Sequence, residues 1–275
     1  VDLKLASRVR GLDVVLGGHT HDPLVKPILV GKTIVINSGA HGKFLSRLDL
    51  DVRGGRVMDY RYKLIPVLSK FVPEDPDMAA LIRRVRGPHE AKLGETLAVS
   101  ETLLYRRGNF NGPFDEIILD ALLKKADAQV AFSPGFRWGV TIVPGQSITL
   151  EDVYSHTSLT YPNTWVREMT GEEIKAIMED VADNLFNKDP YYRQGGDMVR
   201  VGGITYAIDI QRNQGKRLSD IRVGGKPLVP AKRYKATGWA SLREADGPPV
   251  FDVVADHLRA VKRVKLDPRP RVKVL

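Results

Sequence analysis

Two histidines set two residues apart are the side chains of this sequence best suited to chemistry. They lie in Gly17-Gly18-His19-Thr20-His21-Asp22, directly after the apolar run Leu12 to Leu16. In an extended chain, residues i and i+2 share a face, so His19 and His21 point toward one centre. The glycines let the backbone turn tightly and approach an ion, and Asp22 would orient a ligating imidazole through its free ring N–H. A lone His-x-His is often coincidence, but its place where a strand gives way to a loop favours metal binding. The 275 residues contain no cysteine, which excludes disulfides, thiolate ligands and a cysteine nucleophile. A metal here must be held by imidazole, carboxylate, amide or water, and two histidines alone suit zinc or several other ions.

A second set of residues suits an anion. Arg137 stands in Phe132-Ser-Pro-Gly-Phe-Arg-Trp-Gly139 at the end of an apolar strand, and its guanidinium offers a sulfonate or phosphate two parallel donors without losing charge. Trp138 beside it is as readily a packing residue as a site residue. The segment Gln194 to Gly203 combines four glycines with Asp197 and Arg200, as a loop passing close to a ligand or a partner chain would. Arg106 and Arg107 are weaker candidates, because paired arginines on a loop usually form a solvated face. Tyr161 and His41 are also weak candidates, the latter in a glycine-rich turn after a strand. His89, His156 and His257 have no partnering pattern and are expected to be structural or exposed.

These residues need a scaffold, and the pattern supplies one of mixed α and β type. Strands are expected at Leu12 to Leu16, Thr33 to Asn37 and Phe44 to Val52. A polar, proline-punctuated stretch around a helix at Asp77 to Arg86 reads as a connector. A helix over Pro113 to Lys125 then leads into a strand at Gln129 to Phe132. The clearest helix runs from Gly171 to Phe186, with Thr170 and Glu173 as a capping box and Ile174, Ile177, Met178, Val181 and Leu185 on its core side. Strands follow at Ile204 to Ile210, Leu218 to Val223 and Arg233 to Gly238. The net charge of +9 favours an anionic substrate or acidic partner, although the basic tail from Asp256 to Leu275 is equally well a solvated face. No apolar run is long enough for a membrane span, and no stripe of alternating basic and aromatic residues marks a nucleic-acid binder.

The Gly-His-Thr-His segment, followed by Asn37-Ser-Gly-Ala-His-Gly-Lys43, resembles the end of a calcineurin-like metallophosphoesterase domain of the 5'-nucleotidase superfamily. The remainder resembles the C-terminal, substrate-binding domain of that superfamily. Tyr105 to Gly112, Phe132 to Gly139 and Gln194 to Gly203 are similar to the SoxB thiosulfohydrolase branch. The resemblance implies an α/β (α+β) chain. Its parts would be the end of a metallophosphoesterase α/β/β/α sandwich at residues 1–66, a linker with a helix at 67–94, and a 5'-nucleotidase-type C-terminal α/β domain at 95–275.

What the resemblance implies about chemistry is specific. His19 and His21 would be two ligands of a dinuclear metal centre, manganese by family expectation, whose other ligands and catalytic histidine belong to upstream motifs that this sequence lacks. The chain alone is therefore expected to be inactive. Arg137 matches the arginine that grips the substrate anion, and Trp138, Asp197 and Arg200 join it as substrate-binding candidates. The implied substrate is a cysteine S-thiosulfonate on a SoxYZ-type carrier, and the implied location is the periplasm. Two rivals stand beside this reading: a nucleotide or cyclic-nucleotide phosphoesterase, and a non-catalytic module that binds an acidic carrier. The glycine-rich loop has no aromatic residue to stack on a base, which argues against a nucleotide; Tyr191 or Tyr192 would have to compensate.

Overall fold

The computed structural model describes residues 1–136, 138–193, 195–241, 243–266 and 271–275. The chain divides into two compact units, residues 1–87 with 189–191 and residues 88–188 with 192–275.

In the first unit, helix α1 (Asp2–Arg8) precedes strands β1 (Val14–Gly17), β2 (Ile28–Val30) and β3 (Thr33–Asn37). They form a sheet in the order β1-β3-β2, with β1 parallel to β3 and β2 antiparallel to it. All five residues of β3 are buried, as expected of a central, apolar, β-branched strand. A long hairpin follows, β4 (Phe44–Arg53) and β5 (Arg56–Pro66). Its two-residue turn is Gly54-Gly55, both at positive φ, the conformation that glycine adopts without strain and that matches strand twist. Helix α2 (Pro76–Arg86) is capped by Asp75, whose carboxylate accepts the Met78 N–H at 2.8 Å.

The second unit contains α3 (Glu90–Leu93), β6 (Thr96–Ser100), α4 (Pro113–Ala126), β7 (Val130–Ser133), β8 (Ser147–Thr149), α5 (Leu150–Thr157), β9 (Thr164–Thr170) and α6 (Gly171–Phe186). These are followed by β10 (Arg200–Gly202), β11 (Ile204–Ile208), β12 (Leu218–Val223), β13 (Lys226–Pro227), β14 (Arg233–Trp239), α7 (Val250–Val261), β15 (Arg263–Val264) and β16 (Val272–Val274). The central sheet runs β10-β7-β14-β9, accompanied by a second four-stranded sheet, β13-β12-β11-β16, and a three-stranded one, β15-β6-β8. Alternation along β7 explains the layering. Ala131 packs into a cluster with α4, α5 and α7, whereas Val130 and Phe132 pack into a second cluster with α6, β11 and β12.

Helix α4 buries Phe114, Ile117, Ile118, Leu119, Ala121 and Leu122. At about 1.5–3 kcal/mol for each large side chain removed from water, this face is among the main anchors of the unit. Helix α6 begins at Thr170 with the expected capping box: Thr170 N donates to Glu173 Oε2 at 2.7 Å and Glu173 N to Thr170 Oγ1 at 3.2 Å. One expected core residue of α6 is not in the core. Ile177 is 40% exposed and lines an open cleft of about 800 Å³ beside Arg167 and Trp239.

Two strands at the chain's end give the basic tail a structural role. β15 pairs parallel to β6 and β16 parallel to β11. Arg259 pairs with Glu95 at 2.8 Å, Arg263 with Glu101 at 3.1 Å, and Arg271 with Glu116 at 2.7 Å. Arg259 and Arg263 remain exposed, in keeping with a solvated basic face, whereas Arg271 is largely buried against Glu116. Asp267 and Arg269 of that tail lie outside the described residues.

Among the described residues no helix is long and apolar enough to cross a membrane.

Candidate functional site

In the first unit the site is built where β1 and β3 end side by side. The register pairs Gly17 with Asn37, so the loops that leave both strands start from neighbouring positions. Asn37 then joins them: its side-chain amide donates to the Thr20 carbonyl, and its Oδ1 accepts the Gly39 N–H at 3.1 Å. The Leu24 N–H returns to the Asn37 carbonyl at 2.9 Å. This knitting brings His21 and His41 into edge-to-face contact, ring centroids 5.6 Å apart. His41 sits at φ +61°, an uncommon conformation for a residue with a side chain and one that clusters at functional loops. His19 lies exposed on the same loop.

The imidazoles of His19 and His21 suit a divalent ion, but among the described residues no group of three His, Cys, Asp or Glu surrounds one point. The described residues therefore do not complete a metal site by themselves.

In the second unit, the candidate loops meet at one end of the central sheet, and strand register is the reason. Arg200 at the start of β10 lies opposite Ser133 at the end of β7, so residues 195–199 run beside the loop that follows β7. Thr164 opens β9 opposite Trp239 at the end of β14, which brings the segment of Tyr161 to the same end of the sheet. Carboxyl ends of strands are the usual ligand-binding edge of such sheets.

Beneath the loops lies a buried chain of four charges. Arg106 Nε donates to Asp115 Oδ1 at 2.6 Å, Arg200 Nε lies 3.3 Å from Asp115 Oδ2, and Arg200 Nη2 donates to Asp197 Oδ2 at 2.9 Å. All four side chains have no solvent exposure. Two positive and two negative charges balance, which is what makes such a buried arrangement tolerable. Burial pushes the Asp115 carboxyl up from its ordinary pKa, against the pull of Arg106 and Arg200. Its Oδ2 also accepts the Gly112 N–H at 2.8 Å, closing the open end of α4.

The remaining donors of Arg106 grip backbone, and Arg200 reaches backbone through Nη2, the nitrogen that also serves Asp197. Arg106 donates to the carbonyls of Pro134 at 2.9 Å and His156 at 2.5 Å, and Arg200 to Gly108 at 2.8 Å and Phe136 at 3.4 Å. The loops also bond directly: Asp197 N–H to the Gly135 carbonyl at 3.2 Å, Met198 N–H to Asn109 at 3.0 Å. A side chain at Gly135 would collide with the carbonyls of Asp197 and Met198, so glycine is required for this approach.

These contacts revise several expectations. Arg106 is not part of a solvated pair: it is buried, while its neighbour Arg107 is exposed. Asp197 and Arg200, expected to bind substrate, are buried in the charge chain, where their side chains hold loops. Trp138 is half-buried and stacks on Phe136 at 4.0 Å with rings 13° apart, a packing role that still leaves part of the indole accessible. Tyr161 is half-exposed at the sheet end. Arg137 and Gln194 lie outside the described residues. Tyr191, a possible substitute for a base-stacking aromatic, has Lys4 and Arg8 of the first unit 4.9 and 5.2 Å from its ring centroid.

The sequence reading missed Asp115 and Glu116 in the first turn of α4, although acidic residues at a helix start are a recognisable signal. Glu116 receives Arg271 at 2.7 Å and Asn111 at 2.9 Å, tying the tail to the 105–112 loop. His156 was expected to be structural. Its ring stacks on Phe114 with centroids 3.6 Å apart and lies against Gly139, and burial, with Arg106 nearby, lowers its pKa to about 3.

Comparison with known proteins agrees with this architecture. Residues 96–254 match the model of the 5'-nucleotidase, C-terminal domain. The chain is similar to the solved sulfate thiohydrolase SoxB of Thermus thermophilus, with 40% identity and a TM-score of 0.93, covering all of this chain and 52% of that one. A 5'-nucleotidase precursor, also of Thermus thermophilus, shares the fold, at 22% identity and a TM-score of 0.84 over all of this chain and 61% of that one. Among curated proteins, the trifunctional nucleotide phosphoesterase YfkN of Bacillus subtilis is 27% identical over 81% of this chain and 16% of its own length. Bovine 5'-nucleotidase is 24% identical over 81% of this chain and 44% of its own length. The chain thus spans less than half the length of these two curated relatives.

Proposed function

Because this chain belongs to the 5'-nucleotidase family, whose C-terminal domain it carries over residues 96–254, we propose that it is the substrate-binding part of a metal-dependent hydrolase acting on a thiosulfonate. In this reading, water attacks the sulfonate sulfur of a cysteine S-thiosulfonate, its oxygen joins that sulfur, the S–S bond breaks, and sulfate leaves a persulfide on the carrier. Arg137 binds the sulfonate and offsets the charge that develops on its oxygens. Trp138, packed on Phe136, gives that loop a rigid apolar wall. The carrier is a SoxYZ-type protein, and the location is periplasmic.

The single observation that carries the reading is the match to the SoxB structure over the whole of this chain at 40% identity, against 22% for the nucleotidase of similar fold. The glycine-rich 195–203 segment adds support. It supplies no aromatic side chain to stack on a base, and Tyr191 is engaged by two cations. His19 and His21 are proposed as two of the ligands of a dinuclear centre, manganese or zinc. When bound, such a centre would supply a nucleophilic water.

The test uses a full-length protein containing this chain, supplied with manganese. Sulfate release from a thiosulfonate-loaded carrier is measured beside Arg137→Ala and a nucleoside monophosphate control. Release that collapses in the variant, with the nucleotide untouched, is the expected result. Nucleotide hydrolysis without sulfate release would place the protein with the phosphoesterases. Undiminished carrier binding by the variant, with no metal in the full-length protein, would mark a binding module.

A further inference from the structure

The parallel strands β7 and β14 start beside a cavity of about 660 Å³, at the opposite end of the central sheet from the candidate loops. Gln129 and Lys232, the residues just before those strands, line it from one side, and the β12–β13 hairpin closes it from the other. A close approach of main chain builds this corner. Gly203 stands at φ +74°, where a Cβ would collide with the Gln129 carbonyl, and its own carbonyl accepts the Gly224 N–H at 3.1 Å. The Lys232 N–H donates to the Val229 carbonyl at 3.1 Å, which holds Val229 and Lys232 on the same rim.

The walls combine apolar surface with charge of one sign. Val223 and Tyr234 form buried parts of the lining, and Pro227 and Val229 add exposed ones. Lys226 and Lys232 also line the cavity, and among the described residues no carboxylate does. The cleft beside Ile177 differs in this respect, because there Arg167 and Arg243 are balanced by Glu168, Glu173 and Asp180. The Lys232 ammonium lies 5.2 Å from the centroid of the Tyr234 ring, so charge and apolar wall adjoin. Tyr234 Oη accepts the Val229 N–H at 3.0 Å, which leaves the phenol proton to be donated.

We propose that this cavity is a ligand site separate from the candidate loops, and that it takes a small amphipathic anion. An apolar body packs on Tyr234 and Val229, and a carboxylate or sulfonate head faces Lys226 and Lys232. The volume falls within the range of about 300–1,000 Å³ usual for small-molecule sites. A bare inorganic anion would leave the apolar walls uncovered, and a neutral ring would leave both ammonium groups without a counter-charge.

The experiment titrates the full chain with naphthalenesulfonate, with affinity read by calorimetry, location by hydrogen exchange and folding by circular dichroism melts. Naphthalenemethanol supplies the apolar body without the charge, and inorganic sulfate the charge without the body. Two variants alter the cavity from exposed positions: Lys226→Gln combined with Lys232→Gln removes the charges, and Val229→Trp fills the space. The wild type is expected to bind one naphthalenesulfonate per chain, with exchange slowed in residues 223–234. Both variants, and both comparator ligands on the wild type, are expected to bind at least about tenfold more weakly, the scale of a lost hydrogen bond to a charged group. No saturable binding, slowed exchange confined to other residues, a comparator that binds as tightly, or a lysine variant within about twofold of wild type would each overturn the proposal. The lysine variant changes no packed side chain, so it keeps the test decisive even if Val229→Trp fails to fold.

Discussion

Arg106 and Asp115, nine residues apart in sequence, meet at 2.6 Å with neither side chain reaching solvent. Removing one member leaves an uncompensated charge in the interior, so Arg106→Ala should lower unfolding free energy by about 3–5 kcal/mol. Urea denaturation of the variant beside the wild type measures this. A change below about 1 kcal/mol would mean that the pair is solvated.

His156 gives the second unit a pH dependence of definite sign. Its folded pKa is lowered to about 3 from an ordinary value of 6.5, because burial and Arg106 disfavour the imidazolium. Between these values the unfolded chain binds the proton and the folded chain does not, so stability falls as pH drops from 6.5 toward 3. The slope from this residue approaches about 1.4 kcal/mol per pH unit. In His156→Gln the acid-side decline should flatten, and denaturation midpoints recorded from neutral to mildly acidic pH for both proteins check it.

Gly135 separates a steric demand from an electrostatic one. Gly135→Ala retains every charge of the buried chain but drives a methyl group into the carbonyls of Asp197 and Met198. The variant is expected to lose about 1–3 kcal/mol of stability, as overpacked sites do. Calorimetric melting gives the first number, and amide exchange at residues 195–199 shows whether the loops have parted.

The tail is anchored through Glu116, which Arg271 holds with two donors at side-chain exposures of 11% and 10%. Arg271→Gln should cost about 1.5–3 kcal/mol, the range for hydrogen bonds to charged groups. It should also release β16 from β11. Limited proteolysis of the variant, read by intact mass, would show loss of the terminal residues at protease levels that leave the wild type whole.

Much of the scaffold is legible in the residues themselves. Periodicity places α4 and α6 within a residue or two of their observed ends, because their apolar faces and caps are local features. The same reading misses β5, β9, α5 and α7. The last carries little signal at its ends, with Pro249 before it and Lys262 after it and no side-chain cap.

What sequence by itself determined, then, is the local order of elements and the residues able to bind a metal or an anion. Tertiary structure alone decided which of those residues meet each other. Arg106, Asp197 and Arg200 look like ligand-binding residues along the chain, because a charged residue in a glycine-rich loop normally faces water. The register that sets Arg200 opposite Ser133, and the helix start that offers Asp115 from beneath, bury all three instead. No spacing rule encodes that outcome: the partners are distant in sequence, and the balance of their charges exists only once the loops have closed over them.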